Sequence, residues 1–185
     1  LGGKHSVNYH DGKAWNPDGT EYTGKNKFVN STIEALNKIS SKEDGAQLVN
    51  DFVKDDGLTE IMEGENKFEI NSKQQKLQWD PNNTSGGLDQ NSGTSRPSFI
   101  GLAHELAHIL DKLDKIMDQN VWFPMGKKQI YNYEKYSGHW ENKIRAEHGI
   151  PMREFYGKYN GTWMGRYLIP GTRKDANYDH EFKKP

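Results

Sequence analysis

His104-Glu105-Leu106-Ala107-His108 lies inside the longest apolar-periodic run of the chain, and that placement dictates a buried helix with one polar face. Phe99, Leu102, Leu106, Ile109, Leu110, Leu113, Ile116 and Met117 follow helical spacing, with Ser95, Pro97 and Ser98 as start signals. The pattern predicts a helix over about 97–118 that buries this stripe and turns His104, His108 and Asp111 to another side. Side chains at i and i+4 project from the same face, so both imidazoles can reach one metal ion. A zinc ion held this way keeps room for a water molecule, and Glu105 stands where its carboxylate can take that water's proton and pass it to a leaving amine. The alternative, two surface histidines paired by coincidence, lacks this context. The expected cofactor is therefore Zn2+, and the expected activity is that of a zinc hydrolase.

A chain of 185 residues fits one domain and can bury a core without disulfides. Only 32% of it is hydrophobic and its mean hydropathy is -1.02. Five Trp, nine Tyr and seven Phe compensate with large area per residue, which predicts a small aromatic-rich core under a polar surface. The balance of 25 Lys+Arg against 26 Asp+Glu gives no global basic field, so no nucleic-acid partner is expected. No apolar run is long enough to span a bilayer, and no signal-peptide pattern opens the chain, so no membrane insertion is expected. The start Leu1-Gly2-Gly3 reads as a domain cut from a longer protein, or as a chain whose leader was removed. With no cysteine, the metal must be held by His and carboxylate.

The remaining segments frame an α+β domain over 1–185, with a β-hairpin opening segment at 1–27 and a catalytic core at 28–185. Asp11-Gly12 and Asn16-Pro17-Asp18-Gly19 are hairpin turn signals. Phe28, Val29, Ile33, Leu36 and Ile39 predict one helix; a second is expected from Ser41 as N-cap to about Lys54, with Gly45 inside it. Alternation around Leu58–Met62, Lys67–Ile70 and Lys76–Trp79, with a turn at Asn71-Ser72-Lys73, predicts an antiparallel meander. That sheet would wall the core or offer an edge to an extended substrate. Residues 80–98, rich in Asn, Ser, Gly and Thr, read as a loop, either a rim or lid over the site or a connector. Val121-Trp122-Phe123-Pro124 reads as a packed loop. A last helix is expected over about 129–148, stopped by Gly149 with Pro151 beyond. Its Tyr133, Tyr136, Trp140 and Ile144 can pack inward, beside a polar stripe of Glu134, Gly138, Glu141 and Arg145.

Catalytic zinc takes three protein ligands, so one more is needed from Glu134, Glu141, Glu147, Asp111 or His139. Asp111, three residues past His108 on the same helix, is better placed to orient an imidazole than to bind the same ion. Asn132-Tyr133-Glu134-Lys135-Tyr136-Ser137 is similar to the glutamate-bearing helix motif of thermolysin-like gluzincins. Adding Leu102 to His108, Glu134-Lys135-Tyr136-Ser137-Gly138, and the block from Glu141-Asn142 through Arg145, Glu147, Gly149 and Pro151 to Arg153, the chain resembles the NleD-like bacterial effector zinc proteases. Tyr9 to Lys13 and Gly19 to Gly24 also resemble the opening of toxin domains at the C-termini of Rhs-type polymorphic toxins. Together these cover about two-thirds of the chain.

The resemblance implies a zincin-like α+β fold, with a small antiparallel sheet on the HExxH helix and a second ligand-bearing helix. It implies Glu105 as general base and His104, His108 and Glu134 as zinc ligands, with Glu141 as the alternative third ligand. Ser137 stands where threonine is commoner. Asp111, His139, Arg145, Arg153 and Tyr156 are candidates to hold the ligands or the transition state, although for the arginines structural pairing with Glu141 or Glu147 is the favoured reading. A protein or peptide substrate is implied, with a cognate immunity protein as a candidate partner and secretion or delivery within a larger toxin. The alternatives are a zinc hydrolase acting on a cell-wall peptide and a degenerate zincin-fold binding module.

Overall fold

The computed structural model describes residues 6–54, 59–70 and 75–167. Its described residues form an α+β fold. Strands β1 (Asn8–His10) and β2 (Lys13–Trp15) pair antiparallel across Asp11-Gly12. Helices α1 (Lys27–Ser40) and α2 (Glu43–Lys54) follow, then β3 (Thr59–Glu63), β4 (Lys67–Ile70) and β5 (Gln75–Trp79). Helix α3 (Ser98–Leu113) carries the histidines. It is followed by β6 (Val121–Met125), β7 (Lys128–Tyr131), α4 (Tyr133–Glu147), β8 (Phe155–Tyr159) and β9 (Thr162–Arg166). No helix among the described residues is long and apolar enough to cross a membrane.

Helix α3 is buried from Ile100 to Asp111, because α1, α2, α4 and the β5 side of the sheet surround it. Ile39, Leu48, Leu77, Trp79, Ile100, Leu102, Ile109, Trp140 and Ile144 form the centre of one core. The helix ends at Leu113, not near 118: Lys115 turns to φ 59° and Ile116 is exposed. The stripe therefore runs past the true end of the helix.

Four further expectations are corrected. The sheet is not a meander, since its order is β3-β5-β4, with β3 parallel and β4 antiparallel to β5. Strand β5 takes the middle because Leu77 and Trp79 are buried, whereas none of the described side chains of β3 and β4 is fully buried. Leu58 and the Asn71–Lys73 turn lie outside the described residues. Ser41 closes α1 instead of opening α2, its hydroxyl donating to Lys38 O at 2.7 Å. The start of α2 is capped from far away, where Glu147 at the end of α4 accepts from Asp44 N–H (2.8 Å) and Gly45 N–H (3.3 Å). Gly45 is required there, since a Cβ would fall 1.9 Å from Ile39 O. Residues 128–131 and 121–125 form a hairpin, so α4 starts at Tyr133 instead of 129 and the packed-loop segment is a strand. The far end of α4 matches its signals: Gly149 (φ 66°) donates to Ala146 O and Ile150 N–H reaches Arg145 O at 2.8 Å, a Schellman closure.

The loop over 80–98 is tied down along its length. Ser85 bridges Ser95, Arg96 N–H donates to Thr84 O (2.7 Å), and Asp89 Oδ1 accepts from the N–H groups of Asn91 and Gly93. Gln90 N–H to Met152 O and Glu154 N–H to Leu88 O stitch it to the segment after α4. These bonds make it a fixed wall beside α4.

Candidate metal centre

Helices α3 and α4 pack closely against each other. The HExxH spacing turns His104 and His108 toward α4, where Glu134 stands in the first turn. Glu134 Oε2 lies 3.3 Å from His104 Nε2 and 3.4 Å from His108 Nε2. One ligand atom from each of the three residues lies within 4.8 Å of the others. Donors about 2.0–2.1 Å from a tetrahedral zinc stand ~3.4 Å apart, so both carboxylate–imidazole separations suit a shared zinc ion. Two imidazoles and one carboxylate are also the donor types a catalytic zinc takes. The three side chains are nearly buried.

The imidazole rings stand edge to face, with centroids 4.8 Å apart. Phe68 of β4 stacks on His108 at 4.3 Å, and Tyr133 meets the same ring edge-on at 5.3 Å. Behind the rings, Ser137 Oγ is 2.7 Å from His108 Nδ1. His104 Nδ1 is 3.0 Å from Glu141 Oε2, close enough for an ion pair, although the ring N–H is not aimed at the oxygen well enough to form a hydrogen bond.

Burial works against a charged His104, but Glu134 and Glu141 outweigh it and push the imidazole up to about 9. Glu134 is also resisted by burial, and the two histidines hold it well below the usual carboxylate range. Glu105 is buried, and burial raises it against the opposing pull of both histidines. A raised carboxylate suits a group that must take and return a proton near neutrality.

Glu141 falls outside the donor group, on the far side of His104. Asp111 is buried in the direction of Tyr136, whose phenol its charge helps raise. A carboxylate found behind an imidazole is Glu141, at His104 Nδ1. His139 lies about 140° around the helix axis from Glu134, away from the donor group, and Glu147 caps α2. Arg145 and Arg153 both pair with Glu141, at 2.9 Å each. Tyr156 of β8 is half-buried near the site; burial and the charges of Glu134 and Glu105 raise its phenol.

Sequence reasoning missed Arg96, whose Nη1 sits 2.9 Å from Glu141 Oε2. It also missed Phe68 and Tyr167; the latter donates to Glu134 O at 3.2 Å and fills the space left by Gly138, where a Cβ would come within 2.2 Å of its ring. The one available signal was the glycine itself, retained in a helix interior where it costs stability.

The Peptidase_M91 family model, described as an effector protein, matches residues 16–138. The match takes in His104, Glu105, His108, Glu134 and Ser137 and ends before Glu141. No curated protein and no solved structure matches the chain.

Proposed function

Since the chain belongs to the Peptidase_M91 family of bacterial effector metalloproteases, we propose that it is a zinc-dependent endopeptidase of effector or toxin type, with a zincin-like site. His104, His108 and Glu134 would hold the metal. A zinc ion bound there would polarise a carbonyl and make a water molecule more acidic. Glu105 acts as the general base, taking a proton from the attacking water and returning it to the amine as the peptide bond breaks. Its burial raises the carboxylate's affinity for that proton.

Tyr156 and Tyr133 supply donors for the developing oxyanion. Burial, with help from Glu134, keeps both phenols protonated, the latter pushed up to about 12. Arg153 is not available for this role, because its guanidinium is used by Glu141 and by the Phe155 and Tyr156 carbonyls. The effector family supports a protein substrate and delivery into a host cell, within a larger secreted toxin on the Rhs-like reading. An immunity protein would then be the natural partner.

The observation that carries this reading is one Glu134 oxygen 3.3 and 3.4 Å from two imidazole Nε2 atoms, with the buried Glu105 beside them on the helix. The test is proteome-wide cleavage mapping with the wild type against Glu105→Ala. New protein termini should appear with the wild type and vanish with the variant. Equal cleavage by both, or none by either, would contradict the peptidase reading and favour a binding module.

A further inference from the structure

A metal ligand is held in place by whatever grips its far side. Behind His104 that group is Glu141, which is completely buried and lies within ion-pair distance of Arg96, Arg145, Arg153 and His104. Oε1 receives Arg145 Nε at 2.9 Å. Oε2 receives Arg153 Nη1 at 2.9 Å and also has Arg96 Nη1 at 2.9 Å and His104 Nδ1 at 3.0 Å.

The three arginines come from separate stretches of chain: Arg96 from the loop before α3, Arg145 from α4 itself, and Arg153 from the segment leading to β8. Arg145 donates onward to Pro151 O and Gly86 O, and Arg153 to Phe155 O and Tyr156 O. Further N–H groups of Arg145 and Arg153 therefore bind backbone, and neither of these two arginines is placed to swing out as a substrate clamp. Glycines make room for the arrangement, since a Cβ at Gly86 would lie 2.9 Å from Arg145 Nη2 and one at Gly87 2.6 Å from Arg153 Nε.

From this juxtaposition we infer that Glu141 is a positioning residue for the zinc ligand His104, and that Arg96 and Arg153 act through it. The 80–98 loop and the 151–156 segment, which touch no metal, thereby set the metal affinity of the site. This rests on the zinc reading above. A carboxylate hydrogen-bonded by Arg145 and Arg153 and ion-paired with Arg96 is held against rotation, and its charge beside Nδ1 keeps His104 with Nε2 toward Glu134. The negative charge behind the ring also makes it a stronger donor.

The test is the zinc dissociation constant of Glu141→Gln and Arg96→Gln, measured by chelator competition at fixed pH, with the cobalt(II) absorption spectrum and the melting of the metal-free proteins alongside. Glu141→Gln should bind zinc roughly 10- to 100-fold more weakly and shift the cobalt bands, with Arg96→Gln in the same direction by less. A folded Glu141→Gln with wild-type affinity and cobalt spectrum overturns the inference while leaving the zinc reading intact. A lowered melting temperature alone, with both metal readouts unmoved, likewise overturns it. Should Glu141→Gln fail to fold, Arg96→Gln decides: weakened zinc binding supports the inference and unchanged binding overturns it. A wild type that takes up no zinc defeats both the functional reading and this inference.

Discussion

His104 and His108 leave the same helix for the same point, yet the far sides of their rings meet different surroundings. Behind His104 are a buried carboxylate and three guanidinium groups. His108 is held by a neutral hydroxyl and two aromatic rings, Ser137, Phe68 and Tyr133. The difference follows from where each ring sits. His108 faces β4 and the start of α4, where the rings of Phe68 and Tyr133 pack on it. His104 faces the deeper part of α4, where two outside segments must be fastened to the helix and charge does the fastening. One half of the centre is thus electrostatic and interdependent, and the other is packed and locally replaceable.

Removing the charge should reveal the contrast most strongly. Glu141→Leu would strand three buried guanidinium groups, and metal-free protein should lose about 3–5 kcal/mol in urea denaturation. A loss below about 1 kcal/mol, the size of a single hydrogen bond, would show that the arginines find other partners and that the two halves are alike.

A pH series sharpens the same point. In metal-free protein His104 has its folded-state value raised from 6.5 to about 9. Its contribution is therefore full below about 6.5 and is lost as pH rises through 9. Glu134 and Glu141 are depressed, so theirs is present above the ordinary carboxylate range and is lost on acidification. Metal-free protein should lose up to about 3 kcal/mol between pH 6.5 and 9. The added stability from zinc should grow over the same interval, because the metal competes with protons for the imidazoles. Parallel slopes with and without zinc would break the account of His104.

The helix, its two histidines and the carboxylate-bearing partner helix were legible in the sequence because they rest on local periodicity and on a motif whose spacing is a statement about one helix face. The edges of those elements were less so. Ile116 continues the apolar stripe beyond the true helix end, and Lys128–Tyr131 could be read as a first helical turn until β6 is available to pair with it. The parallel β3–β5 pairing and the Glu147 cap on α2 depend on partners distant in sequence, as does Arg96, which meets Glu141 forty-five positions on. A single sequence gives no signal for such encounters. Glu141 was named as an alternative ligand because it shares a stripe of α4 with Glu134, about 20° away around the axis but two turns further along it; which of the two meets Nε2 depends on where along α4 the histidines cross, and the stripe does not show that.

On the packed side the effects should be smaller. Phe68→Ala removes the ring stacked on His108 but only a half-buried side chain, so a stability loss of about 1–2 kcal/mol is expected from thermal denaturation. Zinc affinity should change less than in Glu141→Gln. Ser137→Ala should cost least, about 1 kcal/mol for one hydrogen bond, with zinc binding weakened less than in Arg96→Gln. If Ser137→Ala lowered zinc affinity more than Glu141→Gln, the assignment of the stronger positioning role to the charged side would be reversed.

The shared claim beneath both halves is that His104, His108 and Glu134 hold one zinc ion. Its most direct test is the zinc content of purified wild type and Glu134→Ala after metal loading and exhaustive dialysis. The expected result is one zinc per wild-type chain and well under one for a folded Glu134→Ala. A wild type that retains none, or a Glu134→Ala that retains a full equivalent with unchanged affinity, would contradict it.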